Sequence, residues 1–247
     1  IVAGFSPWNF PLSQPARKIA GALASGCAII LKAAEETPAG AIHIARAFQD
    51  AGLPAGVLNI VHGLGPKVGS AITVHPEIPV ISFTGGTKTG AEISRVAAPM
   101  FKKLSLELGG KNPNIIFADC DFEKAVKTSV LSSFSNQGEI CLCGSRMFVE
   151  RSIYEKFKSA FVEQVKLLQV GDPLNDANRI GAIVSEPHMN KILSYIELAK
   201  QEGGTILCGG TRIHPEGENA QGYFIAPTII EGLAHDCRTN QEEIFGP

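Results

Sequence analysis

The segment Val80-Ile-Ser-Phe-Thr-Gly-Gly-Thr-Lys-Thr-Gly90 passes from an apolar, β-branched run through two glycines into a helical pattern. This order predicts a strand, a turn and a helix whose first backbone N–H groups lack partners within the helix. Those N–H groups and the positive end of the helix dipole could hold a phosphate. The segment is neither a Walker P-loop nor GxGxxG, so a plain strand-to-helix turn is an equally good interpretation.

Short apolar runs alternate with longer helical patterns along the rest of the chain. This alternation predicts an α/β fold with a parallel sheet covered on both faces. Helices are expected to begin after Thr37-Pro38, where Gly52 supplies the stop, and after Asp121 and Ser152. The predicted strands are Cys27–Lys32, Val57–Val61, Val80–Thr84, Lys103–Leu108, Asn114–Phe117, Met147–Val149 and Thr205–Cys208.

Composition excludes several classes of partner. The chain has 247 residues, 22 basic and 24 acidic, with a net charge of -2, and neither sign forms a run typical of nucleic-acid or lipid binding. Its apolar runs are much shorter than the roughly 20 residues that span a bilayer. The six cysteines form no disulfide framework and no zinc-type spacing, so we expect free thiols and no metal. None of the six histidines lies at ligand or catalytic spacing.

The stretch Glu107–Pro113 holds two glycines and a proline directly after a strong strand, which is typical of a domain hinge. We therefore predict two domains, residues 1–108 and 109–247. The first would be a Rossmann-like cofactor domain and the second an α/β catalytic domain.

Two residues outside the glycine turn have side chains suited to cofactor binding or catalysis. Glu35 follows a predicted strand by three residues, where dinucleotide-binding folds place an acid on the ribose hydroxyls, although a solvated acid beside Glu36 fits the spacing slightly better. Cys141 lies in a turn-rich segment between a helix and a strand and could be a nucleophile. Most single cysteines are nevertheless buried small hydrophobes.

Seven segments together resemble the aldehyde dehydrogenase superfamily, in the same order along the chain. They are Pro7-Trp-Asn-Phe-Pro11, Lys32-Ala-Ala-Glu-Glu-Thr-Pro38, Gly52-Leu-Pro-Ala-Gly-Val-Leu-Asn-Ile-Val61, Phe83-Thr-Gly-Gly86, Leu106-Glu-Leu-Gly-Gly-Lys111, Asn136-Gln-Gly-Glu-Ile-Cys-Leu-Cys-Gly-Ser-Arg146 and Glu242-Glu-Ile-Phe-Gly-Pro247. Family members are about twice this length, so we expect further sequence before Ile1 and after Pro247. We also expect the 247-residue chain to be inactive and prone to aggregate on its own.

The resemblance implies NAD-dependent oxidation of an aldehyde to a carboxylic acid. Cys141 would be the nucleophile, Glu107 the general base that activates water on the thioester, and Asn9 an oxyanion donor together with the Cys141 backbone N–H. These residue types suit covalent catalysis, proton abstraction and alkoxide stabilisation.

The resemblance also implies a set of residues that bind NAD. Lys32 and Glu35 would hold the adenosine ribose, and Glu243 and Phe245 the nicotinamide ribose and ring. Trp8, Gly85 and Gly86 would surround the pyrophosphate, and Gly65 and Leu108 complete the set. Many relatives have Ser where this chain has Gly86, which removes one possible hydroxyl contact to phosphate.

Within the superfamily, the segments around Cys141 and Glu107 are most similar to the aminomuconic and hydroxymuconic semialdehyde dehydrogenase branch. Ile140 and Leu142 flank the thiol and would also suit retinal or an aliphatic aldehyde. The resemblance further implies a cytoplasmic homodimer or homotetramer. Two alternatives stay open: a CoA-acylating enzyme, against which Glu107 argues, and a non-catalytic structural relative, against which the intact Cys141, Glu107 and Asn9 argue.

Overall fold

The computed structural model describes residues 1–247, which divide into two compact units, Ile1–Gly109 and Gly110–Pro247. The first unit contains the strands β1 (Val2–Phe5), β2 (Ile29–Lys32), β3 (Leu58–Val61), β4 (Val80–Gly85) and β5 (Lys103–Leu108) and the helices α1 (Ser13–Ala24), α2 (Pro38–Asp50), α3 (Ser70–Val74) and α4 (Thr87–Ala97). No helix of the chain combines the length and the apolar character that crossing a membrane requires.

The strands of the first unit form one parallel sheet in the order β3-β2-β1-β4-β5. The chain moves outward from β1 to β3 and then returns to the other side of β1 as β4. The strand order therefore reverses between β1 and β4. In open parallel sheets this reversal marks the usual ligand site, at the carboxyl ends of the strands.

Successive side chains of a strand point to opposite faces of the sheet, so each face presents its own apolar residues. Both faces of this sheet are covered. Helices α1 and α2 bury Ile19, Ala22 and Ala41 against Ile29 and Leu31 on one face. The opposite face buries Ala3, Phe5, Ile81 and Phe83 against Ile93 and Ala97 of α4. The predicted α/β class with a covered parallel sheet is confirmed.

The second unit contains smaller sheets. Its strands are β6 (Pro113–Ile116), β7 (Arg146–Val149), β8 (Thr205–Cys208), β9 (Arg212–Ile213), β10 (Phe224–Ile225) and β11 (Ile229–Glu231), and its helices are α5 (Phe122–Phe134), α6 (Tyr154–Lys166), α7 (Glu186–Gln201) and α8 (Arg238–Gln241). β6 and β7 are parallel and joined through α5, whereas β8 pairs with β11 and β9 with β10 in antiparallel fashion. The antiparallel pairs were not predicted.

Each predicted strand is present, with ends that differ by at most two residues. Helix α2 begins at Pro38 and ends before Gly52, whose φ of 83° only glycine adopts readily. Asp121 caps α5 by accepting the Lys124 N–H at 3.2 Å. The helix predicted to begin after Ser152 begins one residue later than expected: the Ser152 hydroxyl donates to Glu150, a 3₁₀ turn spans Arg151–Ile153, and α6 begins at Tyr154.

Candidate active site

The parallel register brings the candidate residues of the first unit to one edge of the sheet. Lys32 lies beside Phe5, the last residue of β1. Across the sheet, Glu107 lies beside Thr84 and Leu108 beside Gly85. The carboxyl ends of all five strands meet at this edge, on which the cofactor-binding residues proposed for this unit also lie.

Glu35, Lys32 and Gly65 form one hydrogen-bonded cluster after β2 and β3. The buried Lys32 ammonium donates to a Glu35 carboxylate oxygen at 2.6 Å, and the Gly65 N–H donates to the other at 3.2 Å. Partial burial of the Glu35 carboxyl opposes ionisation, but the hydrogen bonds from Lys32 and from the backbone outweigh it and lower the pKa. Glu35 is thus a fixed, ionised acceptor and not a loosely solvated acid.

The glycine pair ends β4 and leads into α4 beside the point where the strand order reverses. Gly86 precedes α4 in an extended conformation, with φ -67° and ψ 142°. A Cβ at Gly85 would lie 2.6 Å from the Phe83 ring, whereas a Cβ at Gly86 would meet no atom within 4 Å. Gly86 therefore leaves open space at the first backbone N–H groups of α4, and crowding does not exclude a serine there.

The Glu107 carboxylate has two polar neighbours. The Arg17 guanidinium donates to both of its oxygens, at 3.0 and 3.4 Å, and the Thr84 hydroxyl lies 3.3 Å from one of them. The Lys18 ammonium donates to Thr84 at 2.8 Å. Burial lowers the pKa of Lys18 to about 8, although the Glu107 charge acts in the opposite direction.

Trp8 and Asn9 belong to the turn that follows β1, and both are half-buried. β1 is the central strand of the sheet, so its carboxyl end lies at the middle of the candidate edge. The roles of Trp8 near the cofactor and of Asn9 near the reacting aldehyde stay predictions.

In the second unit, Cys141 lies on the loop Asn136–Cys141, which follows α5. The Asn112 side-chain amide donates to the carbonyls of Cys141 and Cys143, at 2.7 and 3.1 Å. Cys141 is partly exposed and Cys143 is buried. Cys141 is thus partly exposed, while its carbonyl is held by Asn112.

The two neighbouring thiols differ in reactivity. The Cys143 thiol donates to the Ser133 carbonyl at 3.2 Å, and burial raises its pKa to about 11. Since the thiolate is the nucleophilic form, Cys143 is a poor nucleophile. Desolvation also lowers the pKa of the neighbouring Lys111 to about 8. Among the two cysteines of this segment, Cys141 is the better candidate.

Glu139 is buried beneath the same loop, with 3% of its surface exposed. Its carboxylate accepts the Val184 N–H at 3.3 Å and a hydrogen bond from the Gln137 side chain, and it lies 3.8 Å from His188 Nε2. Desolvation outweighs these hydrogen bonds and raises the pKa of Glu139 to about 8. The buried carboxyl is therefore largely protonated at neutral pH.

Glu139→Gln should stabilise the protein more strongly at high pH than at low pH. Folding raises the pKa of Glu139 from 4.5 to about 8, so its contribution to stability is complete at low pH and is lost as the pH rises through about 8. The neutral glutamine avoids this loss. Because one pKa unit corresponds to about 1.4 kcal/mol, the gain should reach a few kcal/mol. Thermal unfolding at acidic and alkaline pH measures it, and an equal gain at both would contradict the prediction.

Glu243 and Phe245 lie in the segment Glu242–Pro247, which α7 holds. Burial raises the pKa of Glu243, whose carboxylate accepts the Gly110 N–H at 3.2 Å. His188 Nε2 lies 2.7 Å from the Phe245 carbonyl and therefore donates to it. Phe245 has a φ of 66°, which is rare for a non-glycine residue. The segment is thus fixed in an unusual conformation.

A cavity of about 420 Å³ adjoins both the Cys141 loop and this segment. Ile140, Cys143, Glu243 and Phe245 contribute to its walls, whereas Cys141 does not. The cavity therefore does not by itself locate the reacting thiol.

The sequence analysis did not identify several residues of this arrangement. Arg17 and Lys18 of α1 gave no recognised motif, and His188 is separated from its partner Phe245 by 57 residues. A signal for α7 was available, since Ser185 precedes Glu186-Pro187 and accepts the His188 N–H. That capping pattern would have predicted the helix but not the contact between His188 and Phe245.

Comparison with known proteins shows which family the chain resembles. The model of the aldehyde dehydrogenase family matches residues 1–247. The 2-aminomuconic semialdehyde dehydrogenase of Danio rerio is 49% identical over 249 residues, which cover 100% of this chain and 51% of that protein. The 2-aminomuconic 6-semialdehyde dehydrogenase of a Pseudomonas species is 46% identical, with 100% and 50% covered.

The crystal structure of Staphylococcus aureus betaine aldehyde dehydrogenase in complex with NAD⁺ is 41% identical and superposes with a TM-score of 0.95, covering 100% of this chain and 48% of that one. The chain thus spans about half the length of the relatives it matches. The family match over its whole length, the identity to these relatives and the shared fold lead to one conclusion: the chain belongs to the aldehyde dehydrogenase family.

Proposed function

We propose that the protein oxidises an aldehyde to a carboxylic acid with NAD, and that Cys141 is the nucleophile. The observation that carries this proposal is the partial exposure of Cys141, next to a second cysteine, Cys143, that is buried and whose raised pKa makes it a poor nucleophile. Family membership supports it, as do relatives named as aldehyde dehydrogenases. The test is NADH absorbance with propanal, with and without CoA, because NADH formed only with CoA would indicate the acylating alternative.

The chain's own residues fit NAD. The ionised Glu35 carboxylate is a suitable acceptor for the adenosine ribose hydroxyls, with Lys32 and Gly65 holding it in place. The open N-terminus of α4 at Gly86 suits a pyrophosphate. We assign Trp8, Gly85 and Leu108 to the same edge, and Glu243 and Phe245 to the nicotinamide. When bound, NAD supplies the hydride acceptor.

The proposed chemistry begins at sulfur. The Cys141 thiolate adds to the aldehyde carbon, and the resulting alkoxide accepts hydrogen bonds from the Asn9 side chain and the Cys141 backbone N–H. Loss of hydride from that carbon leaves a thioester on Cys141. Glu107 then removes a proton from water, which attacks the thioester carbon, releases the carboxylic acid and returns the Cys141 thiolate. The proton held by Glu107 passes to solvent.

We further propose that residues 1–108 form the NAD-binding domain and residues 109–247 the catalytic domain, and that the substrate is a semialdehyde of the muconic type. The similarity to relatives named as 2-aminomuconic semialdehyde dehydrogenases supports this substrate. The test is the ratio of kcat/KM for such a semialdehyde to kcat/KM for propanal. A cytoplasmic location and a homodimer or homotetramer stay predictions.

Glu35→Ala should weaken the binding of NAD and reduce the preference of the protein for NAD over NADP. The reason is that a carboxylate that accepts hydrogen bonds from the ribose hydroxyls also repels a 2′-phosphate. Hydrogen bonds to charged groups contribute about 1.5–3 kcal/mol, so the Kd for NAD should rise roughly 10- to 100-fold. Glu36→Ala, which removes the exposed neighbouring acid, is the matched control. The measurement is kcat/KM for both cofactors, and an unchanged ratio would exclude Glu35 from the ribose site.

A further inference from the structure

The loop that carries Cys141 begins in a strained backbone conformation. Three consecutive residues, Asn136, Gln137 and Gly138, have φ values of 49°, 58° and 69°. Non-glycine residues rarely adopt this left-handed conformation, and it persists only where the surroundings impose it. The position of Cys141 therefore depends on the contacts that hold the Asn136–Cys141 loop.

Side chains of the loop reach the segment Gly181–Val184, which leads into α7. Gln137 Oε1 accepts the Gly181 N–H at 3.2 Å, and Glu139 Oε1 accepts the Val184 N–H at 3.3 Å. The segment itself is firmly held, since Ile183 is buried and donates its N–H to the Tyr223 carbonyl at 2.7 Å. It is a rigid support for the loop.

Glu139 occupies the centre of this support. It receives hydrogen bonds from Val184 and Gln137, and it lies 3.8 Å from His188, which in turn contacts the Phe245 carbonyl. The Glu139 side chain thus joins the Cys141 loop to the helix that holds Phe245. Nothing in its position lets it reach a substrate, because it is buried.

We propose that Glu139 is a positioning residue for Cys141, which acts by fixing the Asn136–Cys141 loop to the Val184 backbone and to His188. This proposal rests on the proposed function of Cys141. Truncation of Glu139 would leave the partly buried Val184 N–H without its acceptor, so that the strained loop relaxes. Small displacements of a nucleophile reduce the rate strongly.

The decisive experiment compares Glu139→Ala with Glu139→Gln. Glutamine keeps the volume and the acceptor oxygen, so it should restore what alanine removes. Glu150→Ala is the control, because the exposed Glu150 also accepts a backbone N–H, from Ala118 at 2.7 Å, in the same unit. If the alanine variant fails to fold, Glu139→Asp takes its place, since it keeps the carboxyl but shortens its reach.

Two measurements are made on each variant. Hydrogen exchange of the peptide containing residues 136–144 reports the loop and needs no substrate. The NADH burst with propanal reports the reaction of Cys141, while the Kd for NAD reports the cofactor site. In Glu139→Ala we expect faster exchange and a burst slowed about 10- to 100-fold, with a nearly unchanged Kd for NAD. Glu139→Gln and Glu150→Ala should resemble the wild type.

Each other outcome contradicts a defined part of the argument. Unchanged exchange and burst in Glu139→Ala would overturn the positioning role. Glu139→Gln as slow as Glu139→Ala would also overturn it, since the acidity of the Glu139 carboxyl and not the fixed loop would then matter. If the wild-type whole protein itself shows no burst, the proposed function fails, and the exchange measurement still decides whether Glu139 holds the loop.

Discussion

Cys141→Ala is expected to abolish aldehyde oxidation while NAD binding stays nearly intact. The substitution removes the only atom that we propose to form the covalent intermediate, and loss of a nucleophile lowers kcat by several orders of magnitude. It removes no residue of the Glu35, Lys32 and Gly65 cluster. The measurement combines steady-state NADH formation in the whole protein with NAD titration followed by protein fluorescence.

The control for this prediction is Cys143→Ala, two residues further along the chain. Its thiol is buried, bonded to the Ser133 carbonyl and held protonated by a raised pKa of about 11. Removal of this thiol should lower stability slightly and leave most of the turnover. Full turnover in Cys141→Ala, or equal losses in both variants, would remove Cys141 from the role of nucleophile.

The architecture of the first unit was accessible from sequence because its strands are short runs of two recognisable kinds. Ile29–Lys32 is mostly apolar and mostly buried, as an inner parallel strand is. Lys103–Leu108, at the edge of the sheet, alternates between exposed and partly buried residues and was predicted to the residue. Helix α1 was missed, since Pro15 in its first turn and the polar residues around it obscured the helical pattern. The antiparallel pairs of the second unit were missed as well, because two- and three-residue strands carry too little periodicity.

In the candidate site, too, some features could be predicted from the sequence and others could not. The glycine turn, Glu35 and Cys141 could be singled out because each lies next to a recognisable strand or turn. The contacts that hold them could not, because they join distant parts of the chain: Glu139 to Val184 over 45 residues and Arg17 to Glu107 over 90. Local patterns determine an element and the face it buries, whereas these contacts depend on how the elements pack.

Glu107→Gln should convert a turning-over enzyme into one that reacts once. The amide keeps the shape of the side chain but cannot accept a proton from water, so the thioester on Cys141 should form and then persist. General base catalysis typically contributes about 10²- to 10⁴-fold, and the steady rate should fall by that factor. Rapid mixing with propanal and NAD should show a burst near one NADH per site, followed by a nearly flat trace.

Arg17→Gln separates this effect from the loss of the Arg17–Glu107 ion pair. Both side chains are substantially exposed, at 62% and 43%, and such pairs contribute at most about 1 kcal/mol to stability. Arg17→Gln breaks the pair but keeps the proposed base, so steady turnover should survive. If Glu107→Gln loses the burst as well, Glu107 also activates the Cys141 thiol. If Glu107→Gln keeps its steady turnover, water attacks the thioester without help from Glu107.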